Sequence, residues 1–282
     1  MTPRRTSIPT PKVPNMSEPR EPTIQNLFDL TGRTALVTGG TGWLGGAFSR
    51  GLAEAGAAVV ISSRDEARAK AAAAKLPVHG GAAHHGVQLD HTDPESLEAG
   101  FNAAVQIAGK IDILVNNGLE GIGHDLTDCT FEEFTRQQFN TAGYFFLARA
   151  LRNHVVDRAG RGNVIMIGSM YGQVGSYPDA YEGASVASPV AYHAHKGGTI
   201  QMTRHLAAYY AKDDIRVNCL SPGPFPSDKA PRVVVERLCK KLPMKRMGKP
   251  FELKGALLLL ASDAGSFMTG QNINVDGGWM AW

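Results

Sequence analysis

Short apolar runs alternate along this chain with longer stretches in which apolar residues return every three or four positions. The runs "TALVTG" (34–39), "AAVVIS" (57–62), "HGVQL" (85–89), "IDILVNN" (111–117), "NVIMIGS" (163–169), "IRVNCL" (215–220) and "NINVDGG" (272–278) read as seven strands. Their continuous apolar character suits strands covered on both faces, as in a parallel sheet. Helical spacing fills residues 44–55, 64–75, 94–108, 131–157, 190–211 and 251–261 between them. Thr92 and Glu95, with Pro94 in the first turn, predict a capping box at the start of the third helix. The repeated strand, helix, strand order predicts an α/β fold with a doubly wound, seven-stranded parallel sheet flanked by helices and joined by right-handed crossovers.

Composition narrows the picture only a little. With 282 residues, 43% of them hydrophobic, the chain can bury one sizeable core, so residues 26–282 are expected to form a single domain. Residues 1–25 are rich in proline, charge and small polar groups and have almost nothing to bury, which describes a disordered tail. The 29 basic and 26 acidic residues leave a net charge of +3, too even to argue for nucleic acid or an anionic membrane as partner. Cys129, Cys219 and Cys239 are odd in number and far apart, which suggests neither disulfides nor zinc and fits a reducing, cytoplasmic setting. No run approaches the roughly 20 apolar residues of a membrane span, and the amino terminus lacks the apolar run of a signal peptide.

Candidate chemistry begins at "TGGTGWLGG". Gly39, Gly42 and Gly45, with Thr41 and Leu44 between them, follow a strand and open a helix. Such a turn brings the backbone close to a pyrophosphate and aims helix N-terminal amides at its charge. The second strand ends "VVISSRD", placing Ser63 where an NAD-selective site usually has an acidic residue and Arg64 immediately after it. An arginine there accommodates the 2′-phosphate of NADP(H), so NADP(H) is favoured and NAD(H) remains possible. The plainer alternative has Arg64 simply starting a solvated helix, and Asp65 beside it is easily misread as the ribose ligand.

In "SPVAYHAHKGG", Tyr192 and Lys196 lie at i and i+4 on a predicted helix, so phenol and ammonium can share one side. A nearby cation stabilises a phenolate, which would let the pair move protons near neutral pH. Gly197 and Gly198 follow at once; each costs about 1 kcal/mol inside a helix, so they suggest close packing by a neighbour, within the chain or in another subunit. His193 and His195, two apart, diverge to different faces, and no ligand spacing supports a metal site. His79, His84, His85 and His91 read as surface loop and strand edge.

Taken together, "TGGTGWLG", "LD" at 89–90, "VNNG" at 115–118, Asn140 in "FNTAGYF", Ser169 in "IGSMYG", "YHAHK" at 192–196, "RVNCLSPG" at 216–223 and "TGQNINVDGG" at 269–278 make the chain resemble the short-chain dehydrogenase/reductase family from about residue 30 onward. The resemblance implies a Rossmann-type sheet, an oxidoreductase that interconverts a secondary alcohol and a ketone, a small-molecule substrate, and association into a homodimer or homotetramer. It implies Tyr192 as general acid or base and Lys196 as holder of the nicotinamide ribose. Ser169 would then bond the substrate oxygen, and Asn140 would anchor a water chain. Asp90 would contact adenine, Asn117 and Gly118 the adenosine side, and residues 222–227, with Pro222, Gly223 and Ser227, the carboxamide. Two departures stand out: Trp43 replaces a glycine of the commonest turn, and "NNGL" replaces "NNAG", altering the cofactor floor at Gly118 and Leu119.

About ten residues more than the family pattern separate Ser169 from Tyr192. Tyr171, Gln173, Tyr177, Asp179, Tyr181 and Glu182 in that insertion offer hydrogen-bonding groups suited to a polar, sugar-like or sugar-acid substrate, as in gluconate 5-dehydrogenase-like members; alternatively the segment only packs against the sheet. A 3-oxoacyl thioester is the other substrate class in view. A catalytically idle, cofactor-binding sensor or scaffold is the non-enzymatic alternative.

Overall fold

The structure is a computed structural model and describes residues 21–121, 123–124, 126–186 and 189–281. Its strands are β1 (Thr34–Val37), β2 (Ala58–Ser63), β3 (His85–Gln88), β4 (Ile113–Asn116), β5 (Gly162–Ile167), β6 (Ile215–Pro222) and β7 (Asn272–Val275). They form one sheet in the order β3-β2-β1-β4-β5-β6-β7, and every neighbouring pair is parallel. All seven predicted runs are strands. Several strands stop short of the predicted run because the small and apolar pattern continues into the loops at their carboxyl ends, where it serves a buried cleft instead of a ladder.

The helices are α1 (Ile24–Phe28), α2 (Trp43–Glu54), α3 (Glu66–Ala73), α4 (Pro94–Ala108), α5 (Phe131–Asp157), α6 (Pro178–Tyr181), α7 (Val190–Tyr210), α8 (Arg232–Lys241) and α9 (Lys254–Ala261). Side chains alternate across the pleat. Leu36, Val60, Leu114, Val164, Met166 and Val217 therefore pack under α4, α5 and α7. Their neighbours Ala35, Val37, Val59, Ile61, Val115 and Ile165 pack under α2, α3 and α9. At about 1.5–3 kcal/mol for each fully buried aliphatic side chain, these two cores hold the sheet between its helical layers. A third cluster, with Met170, Tyr171, Ala180, Val234, Leu238, Leu242 and Trp279, joins α6, α8 and the carboxyl-terminal turn.

Three local expectations change. Helix α1 begins inside the segment assigned to the tail, because Thr23 and Asn26 cap one another reciprocally; residues 1–20 of that tail lie outside the described residues. At α4 the cap is Asp93, whose side chain accepts from the Glu95 N–H at 3.0 Å. Thr92 is drawn the other way, giving both its N–H and its hydroxyl to Asp90. Helix α8 was not anticipated, since its few apolar residues gain meaning only from the third cluster.

Strand order reverses between β1 and β4. Connections leave the two strands toward opposite sides, which opens a crevice at their carboxyl ends.

Candidate active site

The crevice is held open by one reciprocal set of hydrogen bonds. The Thr38 hydroxyl accepts from the backbone N–H groups of Asn117 and Gly118, both at 2.9 Å, and donates to Val115 O at 3.3 Å. In return the Asn117 amide donates to Thr38 O at 2.9 Å and Gly39 O at 3.2 Å. This fixes the glycine turn, with Gly39 at φ 60°, a left-handed conformation that suits glycine. Gly45 is required by contact: a Cβ there would stand 2.2 Å from Gly39 O and 2.8 Å from Asn117 Nδ2.

Above this floor lies a cavity of about 690 Å³, within the range of small-molecule and cofactor sites. Of the residues singled out from the sequence, Gly39, Thr41, Gly42, Leu44, Gly45, Ser63, Arg64, Asp90, Asn117, Gly118, Ser169, Tyr192, Lys196, Pro222 and Gly223 all line it. Asn140 and Ser227 do not. Trp43, marked as a departure in the glycine turn, and Phe225, within 222–227, line it too, as do three residues that sequence reasoning missed: Arg68, His91 and Glu120. Arg68 was legible as a second cation at i+4 from Arg64. His91, grouped from sequence with surface histidines, belongs to the cleft. Trp43 donates from Nε1 to Phe225 O at 3.2 Å, tying the glycine turn to the loop after β6.

At the Arg64 end, Asp65 caps α3 by accepting from the Arg68 N–H at 3.0 Å, which commits its carboxylate to the helix. Asp90 spends Oδ1 on Thr92. Burial raises its pKa, and the Thr92 hydrogen bonds more than offset this, leaving it below the ordinary aspartate value.

At the other end Ser169, Tyr192 and Lys196 converge. Lys196 is buried, donates from Nζ to Ile167 O at 2.7 Å and sits 5.7 Å from the Tyr192 ring centroid. Burial brings its pKa down to about 8. The Tyr192 phenol is pushed above its ordinary value by burial, and a hydrogen bond with Ser169 opposes that rise. Tyr192 keeps some exposed surface, yet its hydroxyl lies deep in protein, and the surroundings of the hydroxyl govern its ionisation.

Asn140 stands behind the floor with its amide saturated. Nδ2 donates to Glu120 O at 2.9 Å and Gln137 O at 2.8 Å; Oδ1 accepts from the Glu120 N–H and from His91 Nε2, both at 2.8 Å.

Comparison with known proteins decides the family. The family model described as "Enoyl-(Acyl carrier protein) reductase" matches residues 42–280. A gluconate 5-dehydrogenase of Gluconobacter oxydans (strain 621H) is 33% identical over 90% of this chain and 96% of its own length. The chain is a short-chain dehydrogenase/reductase. A 3-oxoacyl-[acyl-carrier-protein] reductase of Aquifex aeolicus (strain VF5) is 32% identical over 88% of this chain and 98% of its own. The crystal structure of a gluconate 5-dehydrogenase from Burkholderia cenocepacia J2315, in complex with NADP and tartrate, aligns with a TM-score of 0.81 at 31% identity, covering 92% of this chain and 99% of that one.

In this short-chain dehydrogenase/reductase the polar side chains singled out in the insertion before Tyr192 find partners elsewhere in the fold. The Tyr171 and Tyr181 hydroxyls bond one another at 2.6 Å, Asp179 pairs with Lys241 at 2.8 Å, and Glu182 O accepts from Arg237 at 2.6 Å. Gln173 bonds Asn272 and Asn274. Tyr177 meets Trp279 edge-on at 5.2 Å between ring centroids. None of these side chains lines the cavity. The packing alternative accounts for them, because α8 offers partners that the sequence did not reveal.

The two glycines of α7 also separate. Gly197 lies against the turn at Met170–Gly172, where a Cβ would meet Gly172 O at 3.4 Å, whereas Gly198 is exposed, with Thr141 at 3.9 Å. His193 stacks on Tyr171 at 5.0 Å and His195 is buried against Tyr144, so the pair does diverge. Among the described residues no helix is long and apolar enough to cross a membrane.

The low pKa of Lys196 has a measurable sign. Between pH 8 and 10.5, its folded and ordinary values, the unfolded chain binds more protons than the folded one, so this group's contribution to stability rises with pH. Below pH 8 the buried ammonium is a net cost. Lys196→Met is therefore expected to leave the urea midpoint at pH 7 unchanged or raised. A loss of more than about 1 kcal/mol, the scale of one hydrogen bond, would show that the bond to Ile167 outweighs desolvation.

Proposed function

We propose that this protein is an NADP(H)-dependent oxidoreductase interconverting a secondary alcohol and a ketone on a polar, sugar-acid or sugar-like substrate. The observation that carries the reading is one cavity with a glycine turn and two guanidiniums at one end and Ser169, Tyr192 and Lys196 at the other. The cradle fits a dinucleotide: the turn excludes side chains at Gly39 and Gly45, and its walls come from the ends of β1, β2, β3, β4, β5 and β6. Bound there, the nicotinamide supplies or accepts the hydride.

The chain's own groups handle the proton. Tyr192, protonated at neutral pH, donates to the carbonyl oxygen in reduction and receives the proton back in oxidation. The Ser169 hydroxyl donates a second hydrogen bond to that oxygen and fixes its place. Lys196 supplies positive charge beside the phenol in a site of low dielectric, where a charge acts strongly. It is also placed to hold the nicotinamide ribose. The side chain of Asn140 works through position, pinning the backbone of Glu120 to α5.

A polar substrate is supported by the gluconate 5-dehydrogenase relatives. The 3-oxoacyl reductase relative supports a second reading, reduction of a 3-oxoacyl thioester. Wild type and Tyr192→Phe are to be assayed with sugar acids, polyols, simple ketones and 3-oxoacyl thioesters, using both cofactors. Sugar acids or polyols are expected to be turned over best, and Tyr192→Phe is expected to lose about 10²–10⁴ in turnover while keeping NADPH affinity. Equal turnover in the variant would remove Tyr192 from the proton transfer, and an idle wild type would leave only a binding protein.

The preference for NADP(H) rests on Arg64 and Arg68 beside Ser63 and Thr41, with Asp65 engaged as a helix cap. Arg64→Ala is expected to weaken NADPH by at least about tenfold, the worth of a charge-assisted hydrogen bond, and NADH hardly at all. Equal losses would make Arg64 a surface charge.

Self-association belongs to the same reading. Phe139 and Phe146 on α5 and Tyr209 on α7 are 48%, 41% and 61% exposed, and Gly198 leaves α7 open to close approach. Light scattering is expected to give the mass of a dimer or tetramer; a monomer at micromolar concentration would refute it.

A further inference from the structure

Among the described residues, His91 is the one imidazole in the wall of the cavity, and its position depends on the absence of a side chain at residue 118. A Cβ on Gly118 would stand 2.8 Å from His91 Nδ1 and 3.0 Å from Cε1, closer than real side chains approach. The unusual glycine and the histidine are thus one feature: the ring occupies the volume that a methyl group would fill. From below, a Cβ on Gly143 of α5 would stand 2.0 Å from His91 O, so the backbone of residue 91 is seated directly on that helix.

The ring's orientation follows from Asn140. Because Nδ2 of that amide donates to two carbonyls and Oδ1 accepts from the Glu120 N–H, the oxygen faces His91, and Nε2 of the histidine must carry the proton it donates. A neutral ring then leaves Nδ1 as an acceptor. Nδ1 is on the Gly118 side of the ring, in a wall that Asp90 and Asn117 also line. Burial holds the His91 pKa below the ordinary value; Lys196 acts in the same direction, while the bond to Asn140 and the charges of Asp90 and Glu120 oppose it. The acceptor is available at neutral pH.

We infer that His91 is a further cofactor-contact residue: its imidazole, set into the space left at Gly118 and locked by Asn140, presents Nδ1 as a hydrogen-bond acceptor to a ribose hydroxyl of the bound dinucleotide. This rests on the reading that the cavity takes NADP(H). The consequence is that Asn140, although outside the cavity, is coupled to cofactor binding through a single ring whose two nitrogens face opposite ways.

Glutamine and asparagine separate the two nitrogens, since a glutamine amide nitrogen can replace Nε2 and an asparagine oxygen can replace Nδ1. NADPH dissociation constants, read from nucleotide fluorescence, are to be measured for wild type, His91→Gln, His91→Asn and Gly118→Ala, and for Gly118→Ala combined with His91→Ala. Thermal unfolding without cofactor checks the fold of each. His91→Gln is expected to bind NADPH about five- to tenfold more weakly, the loss of one neutral hydrogen bond, and His91→Asn to stay within about threefold of wild type. Gly118→Ala is expected to cost at least tenfold with His91 present and less than threefold in the His91→Ala background, because the methyl then has room. The inference is overturned if His91→Gln binds like wild type, if both amides lose equally, or if Gly118→Ala costs the same in the two backgrounds. Should wild type itself bind neither NADPH nor NADH, the cavity reading falls and this inference with it; wild-type binding with an indifferent His91 sinks the inference alone.

Discussion

The arrangement depends on Thr38 and Asn117 exchanging hydrogen bonds across the point where strand order reverses. A threonine hydroxyl has one proton and two lone pairs, and all are used: one bond to Val115 O, two from the N–H groups of residues 117 and 118. Such closure matters because β1 and β4 end here, and backbone groups beyond a strand end have no ladder partner. Without the exchange, the turn at Gly39 and the floor at Gly118 would each need water, and water is what a cofactor cleft must exclude.

Desolvation is the second organising condition. Lys196, Tyr144 and His195 form a buried polar seam behind the cavity, and burial pushes each toward its neutral form: Lys196 down to about 8, His195 down to about 2, Tyr144 upward. Lys196 alone among them still carries charge at neutral pH. A single cation in such surroundings is screened weakly, so its influence on the Tyr192 phenol is large although the two groups are not in direct contact.

Much of this was legible in the sequence, and for definable reasons. Strands covered on both faces announce themselves as unbroken apolar runs, and a glycine turn between strand and helix is readable because few other residues satisfy its geometry. Tyr192 and Lys196 share a helix, so their proximity is a matter of spacing alone. What was illegible depends on contacts between distant segments. His91 reads as one more surface histidine until Gly118, 27 positions away, is seen to vacate its place. The polar residues of the insertion suggested a ligand because their partners on α8 and β7 belong to elements whose position no local pattern fixes. Likewise the capping of α4 turned on whether Asp93 or Thr92 takes the helix, a competition settled by Asp90.

The pairing of α6 with α8 bears on how this enzyme can change over evolutionary time. Six strand ends carry the cavity floor and are welded into the two main cores, while Tyr192 and Lys196 stand on α7. Helices α6 and α8 hang instead on a separate apolar cluster, cross-braced by Lys241 to Asp179 and Arg237 to Glu182. The same cluster packs against Tyr192 and includes Met170 next to Ser169, so substitutions there reach that end of the cavity, while the glycine turn lies apart from it. A lineage can therefore remodel these two helices while inheriting the glycine turn and its strand ends intact, so that novelty and heritage occupy different ends of one cleft.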